Sequence, residues 1–302
     1  MGKLEFIRPG SAKDLYRVDK KSIAFRFNDS FSVFDVGRSK DKIPGKGAAI
    51  CACAVKSFEI AKMIGIPTHF MEQIDETTIR VREMKIITDR PLTLKDSNYV
   101  VPAEWIDRIR AAGSIIRAFK EGTKKPEDYG LLKGKIPAEG TPFPHPIEHT
   151  TTKFENVDRD IIMAEVCRLG GITLKDYDEF WSIIHRLNGA IDLEMIRAGF
   201  IRLDGKKECG MGPDRRKMIV DVFGTQDEDR PSKIVDGKII HYSKEYPRQI
   251  FIEMGYYEQV KRARKKGYHV PLIPRLSKDH LAEISRRYLL VAKEYAGVKI
   301  AV

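Results

Sequence analysis

Residues 203–230 read LDGKKECGMGPDRRKMIVDVFGTQDEDR, and their reading decides the fold. Two extended runs flank a turn marked by Gly210, Gly212, Pro213 and Asp214, so a β-hairpin is expected. Alternate side chains of a strand share a face. Asp204, Lys206 and Glu208 therefore present carboxylate, ammonium and carboxylate together. The second run, KMIVDV, brings Asp221 opposite the first, where Glu208 and Asp221 meet at one hard cation. Magnesium is held in this manner, by one or two carboxylates plus substrate phosphates. The alternative is an exposed salt-bridge ladder, which carries the same residues.

Working outward, LEFIRPGSAKDLYRV (4–18) reads as strand, glycine turn and strand, and SIAFRF (22–27) as a further strand. Gly10, Ser11 and Ala12 form the turn, with Lys13 beside it. Backbone amides of such a turn can approach phosphates, to which a lysine adds a point charge. SVFDV (32–36) reads as a short strand near Asp35, residues 46–65 as a helix, and HFMEQI and TIRVREMKII as strands. In YVVPAEWIDRIRAAGSIIRAFKEG (99–122) a strand with Glu104 leads through Arg108 and Arg110 to a helix starting near Ser114. Two arginines at a helix N-terminus suit a phosphomonoester.

Residues 122–157 are rich in Pro, Gly and Thr, and read as a long loop or lid carrying Lys153, with Asp160 just beyond it. Thr173 and Asp176 form a capping-box pattern, and Leu174, Tyr177, Trp181, Ile184, Leu187, Ile191 and Met195 trace one helical stripe. KIVDGKIIHY reads as a hairpin around Asp236-Gly237. Residues 244–267, carrying Lys244 and Arg248 on one face, and 277–296 read as two closing helices.

The 302 residues suffice for one large domain or two joined lobes. No apolar run is long enough to span a bilayer, and the N-terminus lacks the apolar core of a signal peptide. The four cysteines show no CxxC pairing, which fits a reducing cytoplasm. The net charge of +11 suits either nucleic acid or an enzyme of polyanionic metabolites. KRARKKG (261–267) is a basic cluster without an RNA-reading motif, so no nucleic-acid partner is expected.

GSAKDLY, FNDSFSVFD, IPGKG, IPTHF, PAEWIDRIRAAGS, TTTKFENVDRD, LDGKKECG and DVFGTQDEDR follow one another along the chain. In this order and spacing they resemble the phosphoribosylaminoimidazole-succinocarboxamide synthase (SAICAR synthetase) family over most of the chain. The resemblance implies an α+β fold of two lobes, with antiparallel sheets and packed helices, related to ATP-grasp and kinase-like folds. It places a nucleotide-binding lobe in residues 1–95 and a ribonucleotide and metal lobe in 96–302. It implies an ATP- and Mg2+-dependent ligase that joins L-aspartate to the carboxylate of CAIR in purine biosynthesis. By the same resemblance Gly10, Ser11, Ala12 and Lys13 hold ATP phosphates, and the backbone near Arg82–Met84 meets adenine. Glu208 and Asp221 bind the metal. Arg108, Ser114 and Arg230 grip the ribonucleotide phosphate, while Glu104, Asp204 and Lys206 orient the imidazole and its carboxylate. Lys153 and Asp160 lie near the transferring phosphoryl group. Asp35, Lys244 and Arg248 lie near aspartate or the ribonucleotide. A homodimer or larger homo-oligomer is implied as well. The chain departs from the family at Ser11, where a second lysine is common, and in the stretches 88–98, 122–140 and 267–277. A related ATP-dependent ligase or kinase with another substrate and a basic RNA-binding protein are the alternatives.

Overall fold

The computed structural model describes residues 4–10, 12–155 and 158–301. They form a mixed α+β structure of two compact units, residues 1–56, 71–82 and 241–302 in the first and 57–70 and 83–240 in the second.

In the first unit, β1 (Glu5–Arg8), β2 (Lys13–Arg17), β3 (Ser22–Phe27), β4 (Phe70–Asp75) and β5 (Thr78–Arg82) build a sheet of order β1-β2-β3-β5-β4. β3 lies in its middle and is buried on both faces, which suits its apolar sequence SIAFRF. The chain's last three helices, α5 (Glu245–Glu253), α6 (Tyr256–Lys266) and α7 (Lys278–Ala296), belong to the same unit. They are tied to residues 31–44: Arg264 donates to the Phe34 carbonyl, Ser285 donates to the Pro44 carbonyl, and Asp41 pairs with Arg275. Phe31 meets Phe251 and Phe34 meets Tyr257 in the apolar layer between them. These contacts explain why the compact units do not follow a linear division at residue 95: the C-terminal helices return to residues 31–44 of the N-terminal part of the chain.

Two local expectations are corrected here. Residues 32–36 do not form a strand, because Phe34 and Asp35 both take left-handed backbone angles (φ 50° and 54°), incompatible with extended pairing. Residues 244–267 are two helices, since Gly255 at φ 72° stops α5 before α6 begins.

In the second unit, β6 (Tyr99–Arg110), β7 (Pro142–Thr152), β8 (Asp160–Ile161), β9 (Ile201–Met211), β10 (Lys217–Val220), β11 (Asp229–Val235) and β12 (Lys238–His241) form a sheet of order β12-β11-β9-β6-β7-β8, with β10 also on β9. The expected hairpin of 203–230 is present as β9 and β10, with Val220 opposite Glu208. Residues 142–152 correct the long-loop reading, for they form β7, an antiparallel partner of β6. Pro142, Pro144 and Pro146 lie in the part of β7 that β8 does not reach, where a missing N–H costs no ladder bond.

Helix α1 (Lys46–Met63) contributes its last residues to this unit, which also holds α2 (Ser114–Lys120), α3 (Met163–Gly170) and α4 (Leu174–Arg197). α4 packs on β9 and buries Phe180, Trp181, Ile184, Leu187, Ile191 and Met195, with Phe180 against Trp105 of β6 at 5.5 Å. Leu174, the first residue of the expected stripe, is exposed at the helix start. The capping box is complete: Thr173 Oγ1 accepts the Asp176 amide at 3.1 Å and Asp176 Oδ2 accepts the Thr173 amide at 2.9 Å. Thr173→Ala removes one acceptor from the first turn of α4. Urea denaturation should show a loss of about 1 kcal/mol, and an unchanged midpoint would show that the cap adds nothing to global stability.

Candidate active site

In the antiparallel pair β6–β9, Glu104 stands opposite Glu208, Ile106 opposite Lys206, and Arg108 opposite Asp204. Residues opposite one another and two apart share one face. The register therefore collects Glu104, Arg108, Asp204, Lys206 and Glu208 on a single surface of the second unit.

Their side chains form two linked groups. In the first, Lys206 Nζ lies 2.7 Å from Glu104 Oε1, 3.2 Å from Glu208 Oε1 and 3.2 Å from Glu228 Oε2. Lys153, just past the end of β7, adds a second ammonium 2.6 Å from Glu208 Oε1. Burial opposes the charge on Lys206, but Glu228, Glu208 and Glu104 outweigh it and hold its pKa well above the ordinary lysine value. Burial likewise opposes the Lys153 ammonium, and Glu208, Asp221 and Glu104 together outweigh burial and the Lys206 charge and hold its pKa above the ordinary lysine value. Glu208 experiences the reverse: burial, then the neighbouring Asp221 charge, push its carboxyl up despite the two lysines.

Asp221 lies one residue beyond Val220, the cross-strand partner of Glu208. The strand ends before it, because Asp221 adopts φ 56° and turns out of the extended run. Its Oδ1 accepts the Val222 amide at 2.8 Å, and His69 Nε2 lies 3.1 Å from its carbonyl oxygen. Glu208 and Asp221 thus bring two mutually repelling carboxylates to one place, a hard oxygen donor set. Among the described residues no group of three or more His, Cys, Asp or Glu side chains is arranged to hold a metal ion.

In the second group, Asp204 Oδ2 receives Arg108 Nη1 at 2.8 Å and also Arg230 Nη1. Arg230 lies against Gly113, directly before Ser114 and α2; a Cβ there would stand 2.7 Å from Arg230 Nη2. Gly113 has φ 58°, so both its backbone and its lack of a side chain are required. The guanidiniums of Arg108 and Arg230 thus converge on one carboxylate, whereas Arg110, the other arginine of the sequence reading, donates to the Gly140 carbonyl at 3.0 Å.

The other expected residues make contacts of their own. Asp160 is exposed and pairs with Lys124 at 3.3 Å, with His149 at 3.9 Å, rather than with Lys153. Met84 packs its side chain with Met218 and Val220. In the first unit the Gly10 amide lies 3.4 Å from Asp14 Oδ1, and Arg38 donates to the Gly10 carbonyl. The Ala12 carbonyl accepts the Asn28 amide, and Lys13 Nζ lies 4.5 Å from the Phe25 ring centroid. Ser11 lies outside the described residues. Arg82 ends β5 and is exposed, as is Asp35. Arg248 Nη1 lies 3.4 Å from Glu245 Oε2 on α5, with Lys244 at the helix start.

Sequence reasoning missed Glu228 and His149. Glu228 sits in an acidic run, QDED, that gives no sign of which carboxylate turns towards Lys206. His149 shares the face of Arg108 through its register opposite Ile106, and burial followed by the Arg108 charge pushes its imidazole down to about 4. Alternation along β7 would have placed it there once that strand was recognised.

Residues 6–263 match the family model for SAICAR synthetase. A phosphoribosylaminoimidazole-succinocarboxamide synthase of Thermoplasma volcanium is 36% identical over 299 residues, covering 98% of this chain and 100% of that protein. Its counterpart from Thermoplasma acidophilum is 35% identical over the same shares. Among solved structures, the SAICAR synthase of Saccharomyces cerevisiae complexed with SAICAR superposes with a TM-score of 0.73 at 19% identity, covering 99% of this chain and 97% of that one. A type-2 SAICAR synthetase in complex with ADP gives 0.69 at 20% identity, covering 99% and 100%. The fold is thus that of these enzymes, and the matched family and the full-length relatives agree that the chain belongs to the SAICAR synthetase family.

Proposed function

We propose that this protein joins L-aspartate to the carboxylate of CAIR, converting ATP to ADP and phosphate and giving SAICAR. Family membership supports this reading. The observation that carries it is the single face of β6 and β9, on which two arginines sharing Asp204 stand beside two lysines set among carboxylates.

The chemistry explains that arrangement. A carboxylate is a poor acyl donor, so the γ-phosphoryl group of ATP is first transferred to a carboxylate oxygen of CAIR. The aspartate amine then attacks the acyl carbon, the C–N bond forms, the C–O bond to phosphate breaks, and the amine gives up its proton. Phosphoryl transfer requires positioning and charge neutralisation more than covalent help. Arg108 and Arg230 hold the ribonucleotide phosphate, with Ser114 beside it. Asp204 keeps the two guanidiniums together. Glu104 and Lys206 orient the imidazole and its carboxylate. Lys153 places an ammonium where charge builds up on the transferring group.

Glu208 and Asp221 fit Mg2+, since two repelling carboxylates, one of them buried, are relieved by a hard dication that also binds phosphate. When bound, the ion would neutralise the charge of the triphosphate. In the first unit the turn at Gly10 and Ala12 with Lys13 serves ATP phosphates, the backbone around Arg82–Met84 serves adenine, and Asp35, Lys244 and Arg248 serve aspartate or the ribonucleotide. We place Asp160 at the ribonucleotide end, where its charge reaches Arg108. The reading includes a cytoplasmic homo-oligomer. The four cysteines are free, and among the described residues no helix is long and apolar enough to cross a membrane.

Coupled measurement of ADP release should require CAIR and aspartate together, and release that ignores omission of either would overturn the assignment. Asp221→Asn should abolish Mg-ATP turnover with an unchanged circular dichroism spectrum; near-normal turnover would remove Asp221 from the metal site. Arg230→Ala should raise the KM for CAIR by an amount equivalent to ~2–5 kcal/mol, as expected when one partner of a buried charge pair is removed. An unchanged KM would remove Arg230 from the phosphate site.

A further inference from the structure

The opposite face of the same strands carries a second charged cluster that the ligation chemistry leaves unused. Lys207 and Asp229 are fully buried, Arg202 and Asp107 nearly so. Arg202 donates to both Asp107 oxygens at 2.9 and 2.8 Å and to Asp192 of α4 at 2.5 and 3.1 Å. Asp229 Oδ1 lies 2.9 Å from Lys207 Nζ and 3.5 Å from Arg202 Nη1. Its Oδ2 accepts the Gly224 amide at 2.6 Å, and its own amide donates to the Thr225 carbonyl at 2.8 Å. Space for the cluster is kept by Gly205, where a Cβ would overlap Asp229 Oδ1 and stand 2.5 Å from Arg202 Nη1.

Buried ion pairs add little net stability, and apolar residues of similar volume often serve as well. Their value here is directional. Asp229 closes the turn of residues 224–229 through Gly224 and Thr225 and fastens that turn to β9 through Lys207. The residues on either side of it reach the other face: Glu228 pairs with Lys206 and Arg230 with Asp204. We propose that the buried Lys207–Asp229 pair is a positioning device for the candidate active site, setting the 224–230 turn so that Glu228 and Arg230 meet their partners. The kinetic part of this proposal rests on reading Arg230 as a ribonucleotide-phosphate ligand; the placement of the turn does not.

The test uses the full chain with Lys207→Met and Asp229→Asn combined. The pair's charges go together, so no lone ammonium is left in a dry site, and the asparagine still accepts the Gly224 amide. Hydrogen–deuterium exchange of the peptide spanning 221–230 should quicken, and exchange at the wild-type rate overturns the proposal. The KM for CAIR should rise about tenfold, the scale on which small misplacements of binding groups act. That rise should largely vanish in an Arg230→Ala background, because the pair acts through Arg230. An equal rise in both backgrounds, or none in the wild-type background, overturns the proposal. If Arg230→Ala alone leaves the KM for CAIR unchanged, the phosphate reading fails instead, and the exchange rate decides the placement of the turn. Asp229→Asn alone should be less stable than the combined variant, since it leaves Lys207 charged and unpaired; equal or greater stability counts against the pair.

Discussion

A strand offers only two faces, and β9 carries charge on both. Asp204, Lys206 and Glu208 face one way, Lys207 the other, and each charge finds a partner from β6, from Lys153 beyond β7 or from the 221–230 segment. Burying an unpaired charge costs several kcal/mol, so the sequence of β9 dictates what must surround it. Arg108 sits opposite Asp204 and Glu104 beside Lys206 for this reason, and Arg202 and Asp229 crowd around the space left by Gly205. Much of the second unit can be understood as the solution to that constraint.

The parts of this solution that depend on local pattern were legible in the sequence. Two-residue alternation placed Asp204, Lys206 and Glu208 together, the glycines marked the hairpin turn, and Thr173 with Asp176 marked the start of α4. What escaped depended on distant partners. β7 looks like a loop because proline is frequent in it, yet those prolines occupy a stretch that needs no second ladder. The break at Gly255 looks like a tolerated glycine inside a helix. The closing helices look like part of the second lobe until their contacts with residues 31–44 are seen.

The charges divide in the same way. Lys206 reads as functional because it sits between two carboxylates of its own strand. Lys207 has no such neighbours on its face, and its partner Asp229 is a member of an acidic run. In sequence the run DED is uniform; in the fold Glu228 faces Lys206 and Asp229 faces Lys207. Asp160 shows the converse: the family resemblance set it with Lys153, but the pairing of β7 with β8 sends it towards Lys124 and His149.

Under the proposed function the pairing on the active face has a consequence for selectivity. Asp204 already takes one bond from each of Arg108 and Arg230, so an incoming anion must compete with a buried carboxylate for both guanidiniums. A singly charged group offers little over Asp204 itself, whereas a phosphomonoester brings more charge and three acceptor oxygens. The same carboxylate keeps the two like charges together in the absence of ligand, so the site is assembled before substrate arrives and less ordering remains to oppose binding. Selection for a phosphorylated ribonucleotide thus follows from the acid that holds the arginines as much as from the arginines themselves.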